Sequence, residues 1–201
     1  MLLVEANILF DEKAVVQAIL AGQSYRFNEF IDRYQDRLFN GLYAMLGNRH
    51  DAEDVAQEAF AMAYRKLASY ESKSSFFTWL HRIAFNLAID HKRREKRHKH
   101  PQERSDGDSG VSMDLIDNRP VETPIDQLER EESCTRLYAA LAQIDPERRA
   151  VLTLRDLQGL NYDEISLCLG IPAGTVRSRL HRARLELKEV LLSQGQWSES
   201  Q

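Results

Sequence analysis

Apolar residues recur at three- and four-residue spacing along most of the chain, and no stretch shows the strict alternation of a half-buried strand. That period predicts helices throughout. Over residues 12–46, Ala14, Val15, Ala18 and Ile19 form one apolar stripe, and Phe27, Phe30, Ile31, Tyr34, Leu38, Leu42 and Met45 form a second. Gly22 and Ser24 mark a break between them. Gly47-Asn48 predicts a helix stop. Asp51 is then the expected N-cap of a helix reaching about Ser69, with Val55, Ala59, Met62, Ala63 and Leu67 on one face. The polar run YESKSS at 70–75 breaks the period. A further helix is expected from Phe76 to His98, with Phe76, Phe77, Leu80, Ile83, Ala84, Leu87 and Ala88 as its apolar face.

The pattern lapses over residues 99–125, where Pro101, Gly107, Gly110, Pro120 and Pro124 are interspersed with Ser and Asp. This composition predicts a flexible linker. Helical spacing resumes at Ile125 with Leu128, Leu137, Leu141 and Ile144. Asp145-Pro146 predicts an N-cap followed by proline at the first helical position. The helix it starts runs to Leu157, buries Val151, Leu152 and Leu154, and ends at Gly159. The expected fold is therefore all-α: two small helical domains, residues 1–98 and 125–195, joined by an acidic linker at 99–124. A tether of about 25 residues permits many relative placements of its flanks.

Charge sharpens this layout. The 201 residues carry a formal net charge of −4. That sum conceals HKRREKRHKH at 91–100, with six basic side chains against one acidic, and residues 101–135, with ten acidic against three basic. A near-neutral total does not exclude nucleic acid, because the relevant field is local. The start, MLLVEANILF, lacks a basic region and a small-residue cleavage site, so a signal peptide is not expected. With no long apolar run, no membrane insertion is expected. Two cysteines, Cys134 and Cys168, make neither a disulfide framework nor a four-ligand zinc site, and no cofactor or metal is expected. The expected location is the cytoplasm.

Two constellations carry candidate chemistry. In NYDEISLCLGIPAGTVRSRLHRARLEL (161–187), Asn161 caps a short helix bearing Ile165, Leu167 and Leu169. Gly170-Ile171-Pro172 turns the chain, and a second helix places Val176, Leu180, Ala183 and Leu187 inward. Small Ser166, turn Gly170 and aliphatic Val176 fit a helix-turn-helix. The outward face of the second helix holds Thr175, Arg177, Ser178, Arg179, His181, Arg182 and Arg184, and arginine can read guanine edges or grip phosphate. The bland alternative is a solvated basic face. In the N-terminal half, Tyr70, Phe76, Phe77, Trp79 and Phe85 lie beside the basic run, a mixture that suits single-stranded nucleic acid. Phe76, Leu80, Ile83 and Leu87 are at core spacing, which leaves Trp79, His81, Arg82 and Asn86 as the exposed candidates.

The stretches DAEDVAQEAF, AYRKLASYESKSSFFTWLHRIAFNLAIDHKRR and IDPERRAVLTLRDLQGLNYDEISLCLGIPAGTVRSRLHRARLEL, in this order, resemble the extracytoplasmic-function (ECF) subfamily of the bacterial sigma-70 factors. The resemblance covers about residues 10–98 and 125–192. It implies a protein that binds core RNA polymerase, recognises the minus-35 and minus-10 promoter elements and promotes strand opening, without being an enzyme. It implies polymerase contacts at Asp54, Gln57 and Glu58. It places Trp79, Arg82 and Asn86 near the separated strands, with Asn86 where the family meets an extruded base, and gives His91, Lys92, Arg93 and Arg94 to the adjoining DNA. Thr175, Arg177, Ser178, Arg179 and Arg182 would read the minus-35 element. Arg155 is open between phosphate contact and a structural ion pair. Regulation by an anti-sigma factor is the further expectation. The acidic linker is expected to thread a positive polymerase channel or to cover the basic helices of the free protein. Ser166 stands where the family more usually has alanine, and residues 1–9 have no clear counterpart.

Two other readings compete. A stand-alone helix-turn-helix regulator would bind duplex DNA without polymerase. A metal-dependent nuclease would use Asp51, Asp54 and Glu58.

Overall fold

The computed structural model describes residues 10–98 and 124–193, with the side chains of residue 98 and of residues 124–131 excepted. Among these residues the secondary structure is helical throughout. The linker and residues 1–9 lie outside the described residues.

Helix α1 is Glu12–Leu20, begun by Asp11, whose carboxylate accepts from the backbone N–H groups of Lys13 and Ala14. Its Val15, Val16 and Ile19 are buried. Gly22, at φ 104°, and a 3-10 turn at Ser24–Phe27 lead into α2, Asn28–Leu46. Gly47 ends α2 in the left-handed region, at φ 72°. Helix α3 is Arg49–Arg65. Its N-cap is Asn48, not Asp51: the Asn48 side chain accepts from the Asp51 N–H at 3.0 Å. Asparagine caps as well as aspartate, and the Asp51 side chain keeps the favourable first-turn position for an acid.

Helix α4, Phe76–His98, is the longest element. Ser75 Oγ accepts from the Thr78 N–H at its start. Glu12 reaches across from α1, accepting from the Phe76 N–H at 2.8 Å and from the Tyr34 hydroxyl at 2.5 Å. One carboxylate thereby satisfies an orphan helix N–H and ties three helices together. The rings of Phe30 and Phe76 stack below it at 3.8 Å.

Helix α5 is Pro124–Leu141 and α6 is Pro146–Leu152, with Asp145 capping α6 and proline at its start. A π turn, Thr153–Leu157, continues α6. Helix α7, Tyr162–Leu169, begins with a capping box between Asn161 and Glu164, and Gly170 ends it at φ 64°. Helix α8 is Ala173–Ser193, with Val176, Leu180 and Ala183 buried. Leu167, expected as an apolar position of α7, is 53% exposed, whereas Ile165 and Cys168 face inward.

The apolar residues of the two halves form one continuous core. Helix α4 packs on α7, and α2 packs on the π turn. The polar contacts of this seam are specific. The Arg149 guanidinium, nearly fully buried, donates to the carbonyls of Met45 (2.7 Å), Ile144 (2.9 Å) and Ala142. Arg37 lies over the Phe77 ring and donates to the Gln158 carbonyl at 2.5 Å. The Cys168 thiol donates to the Thr78 carbonyl at 3.2 Å.

Candidate nucleic-acid interface

Helix α4 repeats every 3.6 residues, so Trp79, Arg82, Asn86 and Arg93 fall on one stripe. Trp79 is half-buried, against Tyr70 and Phe76 with ring centroids at 5.2 and 5.6 Å. Arg82 and Asn86 are exposed. Asn86 Nδ2 donates to the Arg82 carbonyl at 2.7 Å, which orients the amide and leaves its oxygen and second N–H for a ligand.

His81 is not exposed, contrary to the sequence expectation. It is fully buried, with Nδ1 donating to the Phe77 carbonyl at 2.9 Å and Nε2 3.3 Å from the Gln158 side-chain amide. Burial pushes its imidazole down to about 4. The sequence pointed outward because the covering surface comes from the C-terminal half.

Beyond Asn86 the basic residues diverge. His91 turns to α3, 3.7 Å from Asp51. Lys92 pairs with Glu95 at 2.8 Å. Arg94 is exposed. Arg93 pairs with Glu147 of α6 at 2.6 Å and lies 3.9 Å from Asp90.

Helix α8 presents Arg177, Ser178, His181 and Arg182 to solvent, with Thr175 half-buried at its start. The Ser178 hydroxyl donates back to the Thr175 carbonyl. Arg179 pairs with Glu147 at 2.6 Å, and Arg184 with Asp156 at 2.6 Å. The turn in front of α8 is fixed locally. Gly170 takes the left-handed conformation, and the Ser166 hydroxyl donates to the Ile171 carbonyl at 2.5 Å. Serine in place of alanine here satisfies a turn carbonyl. Arg155 has a structural partner that is not an acid: it donates to the Leu160 carbonyl at 2.8 Å and lies over Tyr162.

On α3, Asp54, Gln57 and Glu58 are exposed. Beside them is a groove of about 640 Å³ between α2 and α3, lined by Ile31, Gln35, Phe39, Gln57, Phe60 and Tyr64 among others. Sequence reading missed this groove, and its signal was present: Phe39 and Tyr64 are aromatics off the core stripes of their helices. Among the described residues, no group of three His, Cys, Asp or Glu side chains is placed to hold a metal ion, so the nuclease reading gains no support.

Two family models match the chain: Sigma-70 region 2 over residues 30–98 and Sigma-70, region 4 over residues 134–187. The ECF RNA polymerase sigma factor SigW of Bacillus subtilis is 34% identical over 179 residues, 89% of this chain and 96% of that protein. This chain belongs to the extracytoplasmic-function sigma factors. The ECF RNA polymerase sigma-E factor of Escherichia coli is 34% identical over 182 residues, 86% of this chain and 90% of that one. SigE of Mycolicibacterium smegmatis is 37% identical over 171 residues; the match takes in 82% of this chain and 61% of that protein.

The sigma-factor fold is shared with solved structures. CnrH, in complex with the cytosolic domain of CnrY, superposes with a TM-score of 0.63 at 21% identity, covering 90% of this chain and 97% of CnrH. RpoE of Bartonella quintana, in complex with the anti-sigma factor NepR, gives 0.59 at 22%, covering 82% and 96%. In this sigma factor the region 2 match ends with α4, and the region 4 match runs from within α5 into α8. The two candidate reading surfaces thus lie one in each matched region.

Proposed function

We propose that this sigma factor directs core RNA polymerase to its promoters through three surfaces of its own. Asp54, Gln57 and Glu58 on the exposed face of α3 dock on polymerase. Thr175, Arg177, Ser178, Arg179 and Arg182 of α8 read the minus-35 element in the major groove. Trp79, Arg82 and Asn86 of α4 hold the opening strands at minus-10, with His91, Lys92, Arg93 and Arg94 on the neighbouring phosphates. The supporting observation is that one chain carries both regions and that each presents an exposed helix face of polar and basic side chains.

Opening costs the unstacking of a base, a few kcal/mol, and a polar amide oriented by its own helix offsets part of that cost by bonding the base edge. Arginine on a recognition helix discriminates bases by about 1–3 kcal/mol per bidentate pair. RNA synthesis itself belongs to the polymerase, so this chain supplies recognition and strand separation. Its place of action is the cytoplasm, where the polymerase works. Among the described residues no helix is long and apolar enough to cross a membrane. The solved complexes of CnrH with CnrY and of RpoE with NepR support an anti-sigma factor as a partner here too. The matches to both sigma regions favour this reading over a stand-alone regulator.

Transcription with purified core polymerase on genomic fragments tests the proposal. Promoter-specific initiation is expected only when this protein is added, and its absence on every fragment sinks the reading. Arg177→Ala and Arg182→Ala are each expected to lower promoter binding about 5- to 100-fold. Asn86→Ala is expected to leave initial binding near wild type while slowing permanganate-detected opening. Equal defects in binding and opening would remove Asn86 from its assigned role.

A further inference from the structure

Arg93 of α4 and Arg179 of α8 are assigned to different promoter elements, yet both hold the same carboxylate. Glu147 Oε1 accepts from Arg93 Nη2 at 2.6 Å, and Glu147 Oε2 lies 2.6 Å from Arg179 Nη2. Two cations brought this close repel each other unless an anion lies between them. Glu147 is that anion, and it comes from α6, a helix assigned to neither reading surface. A carboxylate held between guanidinium groups offers the geometry of a phosphate, so it competes with DNA for the same donors.

The closed arrangement is also incompatible with reading both elements together. Minus-35 and minus-10 lie roughly 25 base pairs apart, about 85 Å at 3.4 Å per step. The two guanidinium groups here share one carboxylate. The other polar contacts of the seam, Arg149 to Met45, Arg37 to Gln158 and Cys168 to Thr78, join the same two halves that this bridge joins.

We propose that Glu147 is an acidic latch that keeps the free protein from binding DNA. In the closed chain it occupies one DNA-reading cation from each half at once, and separation of the halves on polymerase releases both. This inference rests on the sigma-factor reading above. It places the autoinhibitory carboxylate in the folded body rather than in the linker.

The test is binding of the free full-length protein to a labelled random-sequence duplex of about 30 base pairs, followed by fluorescence anisotropy from about 50 to 200 mM salt. Glu147→Gln is expected to bind about three- to tenfold tighter than wild type at the low-salt end, with a salt slope steeper by up to about two units. Glu189→Gln, the same charge change on the exposed end of α8, controls for net charge and is expected to shift affinity less than about twofold. Equal behaviour of the two variants, or Glu147→Gln matching wild type, overturns the latch.

Arg93→Ala supplies a reading that does not depend on how Glu147→Gln folds. A cation already occupied adds little to binding, so its loss is expected to weaken free-protein binding less than about twofold. A loss of fivefold or more would show Arg93 free for DNA and overturn the latch. Wild-type protein is run in parallel with core polymerase. Promoter-specific initiation together with unchanged binding by Glu147→Gln sinks the latch alone, whereas no initiation sinks the sigma-factor reading.

Discussion

His81 sits where α4 meets the residues that follow the π turn, and its chemistry follows from that position. It is fully buried, and burial together with the nearby Arg37 guanidinium pushes its imidazole down to about 4. An unfolded histidine titrates near 6.5. Between about pH 6.5 and 4 the unfolded chain therefore takes up a proton that the folded chain refuses, and stability falls as the pH drops through that window. Above it the group contributes no pH dependence. The expected slope is at most about 1.4 kcal/mol per pH unit, read from urea midpoints across the window. His81→Gln should flatten that dependence, and an unchanged slope in the variant would remove His81 as its source. Cys168 is shielded in the same seam, where burial pushes the thiol up to about 12, so it is inert as a thiolate. Neither burial was legible in the sequence. Helical spacing sets His81 beside Phe77 and Ala84, at the edge of the apolar stripe, and Gln158 of the other half decides that this edge is covered.

At the scale of elements, local chemistry carried most of the information. Asp145-Pro146, the Asn161 cap, Gly47 and Gly170 each do in the structure what their residue types predicted. The reason is that caps and left-handed turns are settled within four or five residues. Gly170 gives a direct test, because nothing lies within 4 Å of a Cβ added there. The cost of Gly170→Ala is then backbone strain alone, about 1–2 kcal/mol. Gly170→Asn should cost less, since asparagine tolerates the left-handed region. Thermal or urea unfolding checks the order, and equal losses for both variants would point to packing instead. Two element-level expectations needed correction for a shared reason. Asn48 and Asp51 are both competent caps three residues apart, and Leu167 is an aliphatic residue on a short amphipathic helix. In such cases composition does not choose the register, and the path of the chain does.

At the scale of the whole molecule, Arg149 joins the two halves. Its guanidinium gathers three carbonyls, Met45 from the N-terminal half and Ala142 and Ile144 from the C-terminal half, and burial pushes it down to about 10. Arg149→Met removes the donors and leaves buried carbonyls without partners, a loss of about 3–5 kcal/mol. Lysine cannot offer the same planar set of donors and is not expected to rescue it. If the halves depend on this stitch, the variant should unfold in two steps and be cleaved faster between residues 99 and 123. A single cooperative transition at wild-type stability would show that the apolar seam suffices. The charge pattern also gains meaning at this scale. The sequence set a basic run beside an acidic linker, and the linker lies outside the described residues. Within the folded body the acid shared by Arg93 and Arg179 is Glu147, with Asp90 also near Arg93.

The sequence by itself determined the all-α class, most helix boundaries and the two candidate reading helices, together with the order of motifs that marks the sigma-70 regions. Those features are periodic or local, and a period or a cap is written in consecutive residues. Tertiary structure alone decided which of the candidate cations stand free. Arg82, Arg94, Arg177 and Arg182 face solvent, while Arg93 and Arg179 meet on one glutamate and His81 is buried. The physical reason is distance along the chain. Arg93 and Glu147 are 54 residues apart and His81 and Gln158 are 77 apart, and no pattern within one helix encodes which surface of another will cover it.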